Sequence, residues 1–228
     1  MAEHTLEHTA QHGAMDTSSH AATYQFFLRV VVAAIIHVGF VMVALVSFAF
    51  GHSAAVFIGY HASEWTANAV RGHTISSARL LGVRLNGAEV SEGIYNAALA
   101  GQFGVPVAFI SGDRLAVTQL QHAVPGAEGA IVKEPYGYHS ANTVTPARGQ
   151  AMIRDGVKRA IAKIGSLQPY RVAAPVALEV GFKLTIDAER AAFVPGLARS
   201  DAHNVKGTFR DMIEITKLLQ VLTSLELP

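Results

Sequence analysis

The chain has 228 residues, of which half are hydrophobic and 15% are charged, and its mean hydropathy of +0.30 is too apolar for an ordinary soluble domain. Eighteen basic and 17 acidic residues give a net charge of +1, and no basic stripe interleaves with aromatic residues, so nucleic-acid binding has no electrostatic support. The absence of cysteine excludes disulfides, thiolate catalysis and cysteine-ligated metals, and any metal must rest on His, Asp and Glu, which suit zinc or manganese.

Residues 1–29 form a polar N-terminal tail that holds four of the eleven histidines. Its Gly, Ser, Thr and Glu content is typical of a disordered, solvated segment. Metal binding by the tail is the alternative interpretation of these histidines, which are His4, His8, His12 and His20.

Residues 30–50 are predicted to be one transmembrane helix. Val30–Phe50 is 21 residues long, has only His37 and Ser47 as polar members, and would span roughly 31 Å, close to the thickness of a bilayer core. A cleaved signal peptide and a buried helix of a soluble core are the alternatives. Arg29 at its edge favours a cytoplasmic N-terminus, so the sequence predicts a single-pass protein of the bacterial inner membrane.

The first 50 residues carry a short motif as well as the apolar segment. The run MDTSSHAATYQFF resembles the small subunit IV of bacterial aa3-type cytochrome c oxidases. That resemblance implies a single-span accessory subunit of an oxidase complex with a non-catalytic passenger domain, and it is our alternative function. A fusion created by a deletion is a third interpretation. The matching positions are Met15, Asp16, His20, Thr23, Tyr24 and Phe27.

From residue 56 to residue 228 the pattern is that of an α/β domain. VFIGY reads as a short buried strand, and LLGVRLNGAEV reads as a hairpin with a type I′ turn at Asn86-Gly87. Ser91 is predicted to cap a helix, PVAFI to be a central strand, and Thr145-Pro146 to begin another helix. Further predictions are helices over 115–123 and 208–225 and strands at GAIVKE and VALEVGF.

Three polar residues stand out by their positions. His61 follows a predicted strand at its carboxyl end, where open α/β sheets bind ligands. His73 lies in a glycine-flanked loop, and Glu92 occupies the first turn of a helix. Each also has a structural interpretation, as a hydrogen-bonding His, a solvated loop His and a carboxylate that favours the helix dipole. Spacing alone leaves the two interpretations open, because none of the common catalytic motifs is present.

From residue 57 onward the chain resembles the D-aminopeptidases of the M55 metallopeptidase family. The segments that carry the resemblance are FIGYHAS, GHTISS, GVRLNG, SEGIYNAALAGQFGVPVAFISGD and TVTPARG. The resemblance implies that His61 and Glu92 are zinc ligands and that His73 is the catalytic residue. It also implies two zinc ions, short peptides with an N-terminal D-amino acid as substrates, ring-like homo-oligomers and cytoplasmic relatives.

The same resemblance exposes a difference from the family pattern. Family members carry an Asp-x-Glu pair on their first strand and a later N-D-x-H segment, and neither is matched in this sequence. We therefore expect a partial three-layer sheet-and-helix metallopeptidase domain, truncated at its N-terminus and preceded by one transmembrane helix. We also expect an incomplete zinc site with impaired activity, and an apolar sheet edge at VFIGY.

Overall fold

The computed structural model describes residues 54–224, and these form nine strands and five helices. The strands are β1 (Ala55–Tyr60), β2 (Leu80–Leu85), β3 (Ala88–Val90), β4 (Val107–Asp113), β5 (Glu128–Gly137), β6 (Ser140–Thr143), β7 (Val176–Phe182), β8 (Ala198–Arg199) and β9 (Asn204–Phe209). The helices are α1 (Glu92–Gln102), α2 (Arg114–Ala123), α3 (Pro146–Ala162), α4 (Thr185–Ala191) and α5 (Met212–Ser224), and a 3₁₀ turn spans Ile164–Ser166.

The first sheet has the strand order β1-β4-β5-β6. Strands β1, β4 and β5 run parallel, and β6 returns antiparallel to β5. All seven residues of β4 are buried, as expected of a central strand covered on both faces. Val107 and Ile110 pack with α2 residues in one core cluster, whereas Ala108 and Phe109 pack with α3 residues in another. This helix–sheet–helix arrangement confirms the predicted α/β class.

The second sheet is antiparallel, with the strand order β3-β2-β7-β9-β8. Its core contains residues of α1, α4 and α5. Helix α1 contributes to both cores, because Tyr95 and Ala98 pack with the antiparallel sheet while Ala97 packs with the parallel one. Helix α1 is therefore held between two packed layers.

Local sequence signals positioned several of these elements. Asn86 and Gly87 have φ values of 49° and 82°, the two positive angles of a type I′ turn, so the predicted hairpin of β2 and β3 is confirmed. Ser91 caps α1 by accepting a hydrogen bond from the amide of Ile94, and Thr145 caps α3 in the same way.

Two sequence predictions are wrong in detail. The last helix begins at Met212 instead of residue 208, since residues 208 and 209 belong to β9. Strand β1 is not a buried strand, because Val56 and Ile58 are 43% and 59% exposed and only Phe57 of its six residues is buried. Within the described residues β1 pairs with β4 alone, so it is an edge of its sheet there, as predicted.

The predicted polar tail and the transmembrane segment Val30–Phe50 lie outside the described residues, as does the motif that resembles an oxidase subunit. Between residues 54 and 224, no helix has both the length and the apolar character needed to cross a bilayer. The membrane location, the domain boundaries at residues 29, 50 and 56, and the oxidase partner stay predictions.

Candidate metal centre

His61 follows β1 directly, at the carboxyl end of the parallel sheet. The end of β1 lies against β4, where Tyr60 pairs with Gly112. This close pairing requires a glycine, because a Cβ at Gly112 would lie 2.1 Å from the carbonyl oxygen of Tyr60. The close approach of the two backbones fixes the end of β1, and thereby the position of His61, which follows it.

The loop between β1 and β2 returns to His61 and brings His73 with it. The carbonyl of Ala62 accepts a hydrogen bond from His61 Nδ1 at 3.1 Å and another from the backbone amide of His73 at 3.1 Å. His73 Nδ1 donates to the carbonyl of Arg71 at 2.9 Å. The amide of Arg71 in turn donates to the carbonyl of Tyr138, in the turn between β5 and β6. The two histidines are thus held by backbone groups.

Glu92 is the first residue of α1, directly after the capping Ser91. A carboxylate in the first turn is favoured by the helix dipole. Its Oε2 lies 2.9 Å from His61 Nε2 and 3.5 Å from His73 Nε2. The two imidazole rings stack with centroids 3.8 Å apart and an interplanar angle of 15°. The three side chains that the sequence singled out therefore come together in one group.

The hydrogen bonds of this group leave its ligand atoms free for a cation. A carbonyl oxygen can only accept, so both Nδ1 atoms carry a proton, and in the neutral imidazoles the Nε2 atoms present lone pairs. Glu92 Oε2 is buried and has no well-aligned hydrogen bond within the described residues. One ligand atom from each residue lies within 4.8 Å of the others, a spacing compatible with shared coordination of one ion.

His61 and Glu92 shift each other's pKa. The contact with Glu92 is the largest influence on the pKa of His61 and raises it above 6.5, against the effect of burial. Burial alone would raise the pKa of Glu92, but the contact with His61 and the positive charge of each histidine in its protonated form hold it below its ordinary value. Glu92 is thus kept ionised, as a metal ligand must be.

Asp113 is a nearby carboxylate that the sequence reasoning did not select. It ends β4, is only 1% exposed, and its Oδ1 caps α2 by accepting from the amide of Ala116 at 2.9 Å. Its Oδ2 is buried without a hydrogen-bond partner in the described residues, and its charge helps to raise the pKa of His61. The signal was available, since an Asp at the end of an apolar strand lies at the ligand-binding end of a parallel sheet.

Tyr60 and Asn96 are a second pair that the sequence did not suggest. Asn96 Nδ2 donates to Tyr60 Oη at 2.9 Å, and burial raises the pKa of Tyr60. Asn96 lies one turn after Glu92 on α1, whereas Tyr60 directly precedes His61. The bond therefore links the two elements that carry His61 and Glu92.

A parallel sheet with two histidines and a carboxylate converging at its carboxyl end defines the class of α/β proteins with a candidate metal-dependent active site. The Peptidase_M55 family model, described as D-aminopeptidase, matches residues 36–221. The chain belongs to this family.

A D-aminopeptidase of Bacillus subtilis strain 168 is 26% identical over 175 residues, which are 75% of this chain and 62% of the relative. Among solved structures, one described as Zn-dependent D-aminopeptidase DppA from Bacillus subtilis, a self-compartmentalizing protease, superposes with a TM-score of 0.71 at 25% identity. That match covers 75% of this chain and 62% of the other. The chain thus spans about three fifths of the length of the relatives it matches.

The family match begins at residue 36, which lies inside Val30–Phe50 and before the predicted domain boundary at residue 56. The comparisons do not show the resemblance of residues 1–50 to an oxidase subunit. The M55 part of the sequence interpretation is confirmed.

Proposed function

We propose that this chain carries the zinc-binding part of a D-aminopeptidase, which hydrolyses the peptide bond after an N-terminal D-amino acid in short peptides. His61 and Glu92 are the proposed zinc ligands, and His73 is the proposed catalytic residue. Membership of the M55 family supports the reaction class, and the zinc dependence of the structurally similar D-aminopeptidase supports the metal.

One observation carries the proposal. The rings of His61 and His73 each donate a hydrogen bond from Nδ1 to a backbone carbonyl. Their Nε2 atoms both face the same carboxylate oxygen of Glu92. A structural histidine pair needs no such convergence, whereas a metal site depends on backbone partners that fix the tautomer of each ligating imidazole.

The chemistry divides among the three residues. A bound zinc ion would supply Lewis acidity, which polarises a peptide carbonyl and lowers the pKa of water. Glu92 provides the negative charge that a dication requires, and His61 provides a neutral nitrogen. His73 Nε2 is free to take a proton and return it to the leaving amine, because the other ring nitrogen is committed to the carbonyl of Arg71.

The ligand count predicts weak metal binding. The described residues bring three ligand atoms together, and the assignment of His73 to proton transfer leaves two of them for zinc. Catalytic zinc sites usually have three protein ligands. We therefore expect weak zinc binding and slow hydrolysis by this chain, in comparison with an enzyme that has a full set of ligands.

Hydrolysis of D-Ala-D-Ala and of L-Ala-L-Ala with added zinc tests this function. We expect slow, zinc-dependent release of alanine from the D-dipeptide only. His73→Ala should abolish it while leaving zinc affinity within about threefold, and His122→Ala is the matched control because His122 is exposed on α2 and outside the site. Equal rates on both dipeptides, or activity that survives His73→Ala, would overturn the assignment.

We further propose that copies of this chain assemble into a homo-oligomer. The support is the description of the structurally similar D-aminopeptidase as self-compartmentalizing. Light scattering coupled to size-exclusion chromatography should give a mass that is a multiple of 24.2 kDa, and a monomer at all concentrations would refute the assembly.

A further inference from the structure

Ser63, two residues after His61, lies in a polar cluster behind the candidate metal centre. Ser63 is 3% exposed, and its hydroxyl donates a hydrogen bond to the carboxylate of Glu89 on β3. That commitment of the Ser63 proton makes Thr66 the donor in the 2.9 Å contact between the Ser63 and Thr66 hydroxyls. The cluster therefore has a defined direction of donation.

Gln119, on α2, completes the cluster with both ends of its amide. Its Oε1 accepts from the backbone amide of Ser63 at 3.2 Å, and its Nε2 donates to Thr66 Oγ1 at 2.7 Å and approaches Ser63 Oγ at 3.3 Å. The amide of Thr66 also donates to the carbonyl of Ser63, which closes a turn. Gln119 thus clamps the Ser63–Thr66 turn from the helix that follows β4.

The clamped turn adjoins the peptide that positions both histidines. The carbonyl of Ala62 accepts from His61 Nδ1 and from the amide of His73, and the amide of Ser63 belongs to the same peptide unit as that carbonyl. Gln119 therefore holds one end of the peptide plane whose other end orients His61 and anchors His73. Gly72 packs against the same backbone, since a Cβ there would lie 2.9 Å from the carbonyl oxygen of Ser63.

We propose that Gln119 is a positioning residue for the candidate metal centre. It fixes the Ala62–Ser63 peptide, and through that peptide it fixes the imidazoles of His61 and His73. The inference rests on the proposed function for its effect on zinc, but its effect on the geometry of the loop does not depend on any metal.

Gln119→Ala compared with Gln121→Ala tests the proposal on the full-length chain. Gln121 is the matched control, because it is on the same helix, is similarly half-buried and donates through Nε2 to the carbonyl of Ala127 instead of to the loop. We expect zinc affinity to fall by about tenfold or more in Gln119→Ala, the loss that typically follows removal of a residue that orients metal ligands. Zinc affinity should be unchanged in Gln121→Ala.

A second pair of variants separates positioning from general stability. Thr66→Val removes the hydroxyl that Gln119 binds at nearly constant volume, whereas Thr66→Ser retains it. We expect Thr66→Val to reproduce the loss of zinc affinity and Thr66→Ser to retain the wild-type affinity. The absorption spectrum of the cobalt(II)-loaded protein should change in Gln119→Ala and Thr66→Val only, because it reports the coordination geometry.

Hydrogen exchange of the zinc-free protein distinguishes failure of the proposed function from failure of the positioning role. We expect Gln119→Ala to accelerate exchange of the His73 amide by at least tenfold, and Gln121→Ala to leave it unchanged. Absence of zinc binding in the wild-type chain with this exchange result would overturn the proposed function and support the positioning role. Unchanged exchange, equal effects of Gln119→Ala and Gln121→Ala on exchange, or equal effects on zinc affinity when the wild-type chain binds zinc, would overturn the positioning role.

Discussion

The carbonyl of Ala62 sets the geometry of two imidazoles at once. It accepts a hydrogen bond from the ring of His61 and another from the backbone of His73. Both rings then present Nε2 to Glu92, and proton and metal compete for these nitrogens. On the proposed function, the protonation state of His61 is therefore the residue-scale variable that would control metal binding.

Zinc affinity should decrease as the pH falls. Glu92 raises the pKa of His61 above 6.5, so His61 is half-protonated already above pH 6.5, and protonated imidazole cannot bind a metal. Calorimetric zinc titrations between pH 8.5 and 5.5 should show the highest affinity at the alkaline end and a midpoint of the loss above pH 6.5. An affinity that does not change over this range would contradict the role of His61.

Gly112→Ala should destabilise the protein and weaken zinc binding. A Cβ there would lie 2.1 Å from the carbonyl oxygen of Tyr60, so the end of β1 and His61 must move. Overpacking of this kind typically costs about 1–3 kcal/mol of unfolding free energy, which denaturant titration measures. Gly165→Ala is the control, because a Cβ at Gly165 meets nothing within 4 Å. Equal stability of the two variants would show that β1 has no fixed contact there.

At the scale of elements, the start of α1 connects the helix cap to the site. Ser91 caps the helix and Glu92 follows it, so the cap sets where the carboxylate lies. Ser91→Ala should lower the unfolding free energy by about 1 kcal/mol and also lower zinc affinity. Thr145→Ala removes the equivalent cap of α3, which carries no site residue, and should lower stability by a similar amount without changing zinc affinity. Equal zinc affinities of the two variants would show that the Ser91 cap does not set the position of Glu92.

The elements that the sequence predicted correctly have strong local signals. Asn86-Gly87 imposes a turn, and Ser91 and Thr145 supply caps. Helix α5 begins later than predicted because the carboxylates of Asp211 and Glu214 accept hydrogen bonds at its first turn. Asp211 accepts from the amide of Glu214, and Glu214 accepts from the amide of Arg210. The sequence does not predict β6, β8 and α4, which are short, or β9, whose residues NVKGTF do not alternate strictly between apolar and polar.

For the whole molecule, the site depends on contacts between distant parts of the chain. The sequence and the family resemblance could single out His61, His73 and Glu92 as candidates, because each lies in a recognisable segment. The contacts of Gln119 and Asn96 could not be predicted in this way. Gln119 meets Ser63 across 56 positions and Asn96 meets Tyr60 across 36, and only the packing of α1 and α2 on the sheet brings these pairs together.

A zinc titration of the wild-type chain, His61→Ala and Glu92→Gln at pH 8 tests the central claim most directly. The account predicts that the wild-type chain binds zinc at this site with one ion per chain, and that each substitution lowers the affinity by at least tenfold. His122→Ala should bind as the wild type does. Undiminished binding in both substituted chains, or no binding in the wild type, would contradict a zinc site built on His61 and Glu92.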